Sequence, residues 1–225
     1  DNEERPGAEN VYQRLAILHA LRGELGAARA ALDRMTGWQQ SDDVEVNGEH
    51  AAAAISVALA EGRPQDALDI GRRMLGPAIE TLGASNEVVR MAWPETLRAA
   101  LETGQIEEAQ ALLALLAQRP PGHVPPYLDA QLARGRALIA AAEGRHETVQ
   151  ADFTAAIDGL RELGYPYWLA VAQADLAAWL VGQGQATEAT VLLEEATTTF
   201  RSLGAAPALA RALQLVDAPT SAAAS

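Results

Sequence analysis

The sequence predicts an all-α protein, an α-solenoid of about five antiparallel helix pairs closed by a C-terminal capping helix. Three observations predict it. Apolar residues make up 49% of the chain but aromatics only 4%, so the core must be built from Ala and Leu. Those residues favour helices, and the usual strand formers Val, Ile and Tyr are comparatively sparse. Five glycines, Gly23, Gly62, Gly104, Gly144 and Gly184, each follow an apolar stretch, at separations of 39, 42, 40 and 40 residues. Four of them are followed five residues later by alanine (Ala28, Ala67, Ala109, Ala189); the fifth has Val149 there. Four residues further on stands another apolar or small residue: Leu32, Gly71, Leu113, Phe153 or Leu193.

A glycine closing a helix in the left-handed conformation lets the chain turn at once into a second helix. The small residue five positions on then faces the first helix, where a larger one would force the pair apart. One pair cannot bury its apolar face alone, so copies stack. The first helices are predicted at about 8–22, 43–61, 86–103, 126–143 and 167–183. Their partners follow at about 25–37, 64–82, 105–118, 146–163 and 185–203, with a cap near 207–216. Ser41 or Asp42, and Ser85, are expected N-caps, and Pro64 and Pro207 sit where a first turn tolerates proline. The Pro-rich connection 119–126 separates pairs three and four, and Pro94 implies a kinked or late-starting helix. The repeat domain is expected to span residues 1–217 and the tail 218–225 to be disordered.

Composition excludes several chemistries. With no cysteine there is no thiol nucleophile, disulfide or Cys-ligated metal, and every basic side chain is Arg, so no lysine can serve a P-loop or Schiff base. The net charge of −13 opposes direct nucleic-acid binding. No run of about 18 apolar residues is present, and residues 1–10 are unlike a signal peptide, so a cytoplasmic protein without membrane contact is expected. A chain starting at Asp1 and not at Met is expected to be a piece of a longer polypeptide.

His19, His50, His123 and His146 lack ligand spacing and read as packing or surface positions. Asp42, Asp43 and Glu45 read as a helix-capping group. The stretch Gly182-Gln183-Gly184-Gln185 follows a helix, not a strand, and reads as a turn, not a dinucleotide loop. Neither a catalytic, a cofactor nor a metal site is expected. Tyr127, Tyr165, Tyr167, Trp168 and Trp179, with Trp93, have two readings, filler of an Ala-rich core or a binding surface. If the first helices line a groove, counting back from each glycine places Asn10, Gln13, Ile17, Glu49, Ser56, Arg98, Gln131 and Arg134 on it. Arg98 and Arg134 would be its positive elements, and the face has two readings, a groove for a peptide with an acidic group or a merely solvated surface.

The glycine–alanine turn between two helices resembles that of the tetratricopeptide repeat (TPR), with Trp93, Ala156 and Ala196 matching signature positions, though the period exceeds the usual 34 residues. A wider likeness runs through Ser41-Asp42-Asp43-Val44, Ala60-Glu61-Gly62-Arg63-Pro64 and Pro125-Pro126-Tyr127-Leu128. It continues in Leu163-Gly164-Tyr165-Pro166-Tyr167-Trp168-Leu169-Ala170 and Phe200-Arg201-Ser202-Leu203-Gly204-Ala205. Together these resemble the C-terminal TPR-like region of actinobacterial-type multidomain signalling ATPases that carry adenylate/guanylate cyclase or LuxR-type domains. The resemblance implies a non-catalytic sensor or scaffold arm that contacts a protein, a peptide or other domains of its parent chain. A freestanding adaptor that binds a peptide or small ligand is the alternative, and a homodimer through an exposed apolar stripe is compatible with either.

Overall fold

The computed structural model describes residues 9–217; for Glu9, Asn10 and Asp217 the description is of the backbone alone. The expected tail 218–225 lies outside the described residues. Among those described, the chain is all-helical: α1 (Glu9–Arg22), α2 (Leu25–Asp33), α3 (Val44–Ala60), α4 (Pro64–Leu82), α5 (Glu87–Glu102), α6 (Ile106–Ala117), α7 (Pro126–Ala142), α8 (Val149–Glu162), α9 (Pro166–Gly182), α10 (Ala186–Leu203) and α11 (Ala206–Asp217). A 3-10 turn, Trp38–Gln40, lies between α2 and α3. The contacts divide the chain into two compact units, Asp1–Pro125 and Pro126–Ser225, parted at the Pro-rich connection.

All five turn glycines have positive φ, from +69° at Gly104 to +76° at Gly23 and Gly184. Behind each, the next residue's N–H reaches back to a carbonyl five residues earlier: Glu24 to His19, Arg63 to Ala58, Gln105 to Ala100, Arg145 to Ala140 and Gln185 to Leu180, all at 2.8–2.9 Å. This 6→1 bond satisfies a carbonyl that the helix end would leave unpaired. The register it sets buries Ala28, Ala67, Ala109 and Val149 completely and Ala189 to 1% exposure. Four residues on, Gly71, Phe153 and Leu193 are buried, whereas Leu32 and Leu113 are half-buried.

In the first unit α1 packs on α2 and α3, α3 on α4 and α5, and α5 on α6. In the second, α7 packs on α8 and α9, and α9 on α10 and α11. Backbones approach closely where glycine allows it: a Cβ on Gly71 of α4 would lie 2.2 Å from the buried Thr96 side chain of α5. Polar links recur between neighbouring pairs of the first unit. Gln105 donates to Gln65 at 2.8 Å, Arg72 faces Glu108 at 3.4 Å, and Arg29 of α2 bonds the Glu61 carboxylate at the end of α3. Those bonds hold Glu61 below the ordinary glutamate range, Arg29 contributing most and Arg63 adding to it against the cost of burial.

Several expected boundaries are corrected. Asp43, not Ser41 or Asp42, caps α3, its Oδ1 accepting from the Glu45 N–H at 2.8 Å and the Val46 N–H at 3.3 Å. Asn86, not Ser85, caps α5 by accepting from the Val88 N–H. Ser41 instead orients the cap, its Oγ accepting from the Asp43 N–H. Of the two expectations for Pro94, a kinked or a late-starting helix, the late start is not seen: α5 runs from Glu87 to Glu102 with Pro94 inside it. Proline removes one N–H there, but the buried flank of α5 keeps the helix whole. The second helix of pair one ends at Asp33, not near 37, because Gly37 at φ +98° turns the chain into the 3-10 segment. The second helix of pair four begins at Val149, not 146, after a longer turn.

Substituting Gly71→Ala will cost about 1–3 kcal/mol in urea unfolding, because Thr96 is locked by its own bond to the Ala92 carbonyl. Gly26→Ala, with open space around it, will instead stabilise by about 0.5–1 kcal/mol. Because the Glu61 carboxyl has its lowered value only in the fold, the stability it adds is complete above about pH 4.3 and is lost as pH falls through that lowered value. Stability–pH curves of wild type and Glu61→Gln will therefore converge on acidification.

Candidate functional site

In the second unit the first helices α7 and α9 bring together a polar and aromatic cluster. Arg134, 3% exposed, points its Nε at Asp175 Oδ2 at 2.7 Å. Its guanidinium also lies 3.5 Å from Gln131 Oε1 and 5.6 Å from the centre of the Trp168 ring. Gln131 is fully buried and its amide donates to the Tyr127 hydroxyl at 3.3 Å. Tyr127 in turn stacks on Tyr165, ring centres 4.5 Å apart. At the start of α9, Pro166 supplies a first-turn proline, and Tyr167 meets Trp168 edge-on at 5.3 Å and Phe200 of α10 at 6.1 Å. Trp168 and Tyr167 are half-buried.

Of the residues expected on a groove or in an aromatic binding surface, the structure brings together Tyr127, Gln131, Arg134, Tyr167 and Trp168. The first unit holds the others. Arg98 pairs with Glu95 at 3.1 Å and Glu102 at 2.8 Å on its own helix, and Glu49 is half-buried on α3. Gln13 is 1% exposed, and its amide nitrogen has no hydrogen-bond partner among the described residues. Ile17 packs against the α1–α2–α3 core. Ser56 is buried with its hydroxyl turned to the Ala52 carbonyl. The Asn10 side chain lies outside the described residues. Trp93 is fully buried and its indole donates to the Leu112 carbonyl at 2.9 Å, so it belongs to the packed interior of its pair.

Two electrostatic expectations change. Arg98 and Arg134 are not free positive elements, since each is neutralised by carboxylates of its own unit. Asp175 and Glu95, their partners, escaped the sequence reading. The signal was available for Asp175: counted from the turn glycines, it stands nine residues before Gly184 and Arg134 ten before Gly144, adjacent registers on consecutive first helices. The histidines have ordinary partners where these are seen. His19 pairs with Glu24, and His146 takes a hydrogen bond from the Trp179 indole at 3.2 Å. Among the described residues no three His, Asp or Glu side chains converge as a metal site, and no helix is long and apolar enough to cross a membrane.

No protein-family model matches this chain, and comparison with curated proteins returns no match.

Asp175→Ala, which leaves a buried guanidinium without its carboxylate, will destabilise the protein by about 1–3 kcal/mol. Arg161→Ala, which removes an exposed pair with Asp158, will change stability by less than about 0.5 kcal/mol. Parallel urea melts of the two variants check the contrast.

Proposed function

We propose that this chain is a non-catalytic protein-interaction and regulatory module built of TPR-like helix pairs of the α-solenoid class. In this reading the first unit holds three pairs, and the second holds two with α11 as cap. The observation that carries it is Trp168: a half-buried indole at a helix start, backed by the Arg134–Asp175 pair and flanked by Tyr167. Large aromatics with a polar rim on a rigid helical support are what interface anchors are made of. The packing of each first helix on the next within a unit supports the same reading, because it gathers first-helix side chains on one surface.

The partner is a protein, a peptide or another domain of the parent chain, held mainly by apolar and aromatic contact. The acidic balance disfavours nucleic acid. The segment likeness described above supports a place as the sensor arm of a cytoplasmic, multidomain signalling ATPase, with catalysis encoded elsewhere in that polypeptide.

Panning a random peptide library against the isolated chain tests the reading. Binders are expected whose affinity falls about tenfold or more in Trp168→Ala, with helical content and unfolding midpoint retained. No binders, or binders indifferent to Trp168 and Tyr167, would overturn it. For the parent polypeptide, Trp168→Ala is expected to change the rate of ATP hydrolysis; a parent without that activity would sink the regulatory part.

A further inference from the structure

Between α3 and α4 lies an open pocket of about 480 Å³. Its floor is apolar, made by Ala51 and Ala54 of α3 and by Ile70 and Met74 of α4. Its rim carries His50, Asn47 and Arg73, and the Asn47 amide donates to the Gln39 carbonyl at 2.8 Å, tying the 3-10 turn into the wall. Arg73 is exposed and makes no ion pair or hydrogen bond among the described residues.

The repeat explains why the space is there. Counted from the turn glycine, the residues eleven before and eleven after meet across pairs one and five, and those eight before and eight after meet across pair four. In pair one the first of these positions hold Tyr12 and Arg34; the guanidinium sits over the Tyr12 ring at 5.3 Å, with a 3.5 Å bond to its hydroxyl. In pair five they hold Gln173 and Glu195, hydrogen-bonded to each other. Pair three places Trp93 there, reaching the Leu112 carbonyl. Pair four has alanines there but closes the next level with Arg136 and Asp152 at 3.2 Å. In pair two these positions hold Ala51 opposite Arg73 and Ala54 opposite Ile70. The arginine of pair one is kept, and the ring on which it rests is missing.

We propose that the α3–α4 pocket binds a small aromatic carboxylate, its ring over Ala51 and Ala54 where pair one places Tyr12, and its carboxylate on Arg73. The guanidinium fork matches a carboxylate in two parallel bonds, and it stacks on flat rings. The volume suits a small organic molecule, and an apolar floor with few polar groups at the rim is the usual make-up of such sites. Burial lowers the pKa of His50 and so favours the neutral imidazole at the edge of the pocket. The site is independent of the Trp168 surface, and either can fail without the other.

The experiment is an NMR titration of the full chain with 2-naphthoate, with 2-naphthamide and inorganic phosphate as controls. Expected are a dissociation constant of about 1 mM or tighter, as a fragment of that size reaches, and amide shifts confined to α3, α4 and the 3-10 turn. Arg73→Ala should weaken naphthoate about tenfold, to the level of the neutral amide. Ala51→Tyr, which recreates the pair-one arrangement, should fill the pocket and abolish binding while the helical circular dichroism persists. If Ala51→Tyr does not fold, the Arg73→Ala comparison decides. Absence of binding at 10-fold above that concentration, equal affinity for naphthamide, phosphate binding as tightly as naphthoate, or an unchanged affinity in Arg73→Ala would each overturn the proposal.

Discussion

Everything in this molecule depends on how its first helices end. A helix that stops without a partner for its last carbonyls loses several hydrogen bonds, and a chain of L-residues cannot turn tightly without strain at positive φ. Glycine at one position resolves both, and the 6→1 bond behind it recurs at all five predicted turns. The same device recurs where α8 and α10 end, at Gly164 and Gly204, where the N–H groups of Tyr165 and Ala205 reach the Leu160 and Phe200 carbonyls. Once the turn is fixed, the register of the second helix is fixed with it. That register is why the residue five positions on is buried in every pair and is small in four of them.

A rigid register makes neighbouring positions interchangeable in place but not in chemistry. The level that is a cation over a ring in pair one is a fully buried indole in pair three and an amide–carboxylate bond in pair five. Each is a different way of filling the same gap in an interior otherwise lined by alanine. Pair two leaves the gap open, and the pocket beside Arg73 follows from two alanines. The fold tolerates such variation because the closures at Gly62 and in the buried layer of Ala67, Leu68 and Leu75 do not depend on it.

Charge is handled in the same local way. The chain is strongly acidic, yet the best-buried guanidinium, Arg134, is covered by a carboxylate, an amide and an indole of its own unit. Such an arrangement ties the middle of α7 to the middle of α9 and backs the Trp168 ring with a fixed guanidinium. Its positive charge is consumed internally, so little of it is left to attract an acidic group.

The all-helical class, the positions of the turns and the buried small residues were legible in the sequence alone. Each of these is set by bonds local to one turn, and a glycine at the required spacing records them directly. The caps were displaced by one residue, to Asp43 and Asn86, because several polar residues in a row compete for the same two N–H groups and only backbone geometry chooses among them. The cluster was legible in part: Arg134, Gln131 and Trp168 were named from the sequence, and of the two readings open for Trp93 the packed core holds, but that Asp175 would cover the arginine was not foreseen. That outcome depends on side chains that meet 41 residues apart in the chain, and no local bond encodes it. The sequence thus determined the rhythm of helices and turns, while tertiary packing alone decided which charges were spent internally, which rings stayed open and where a gap was left.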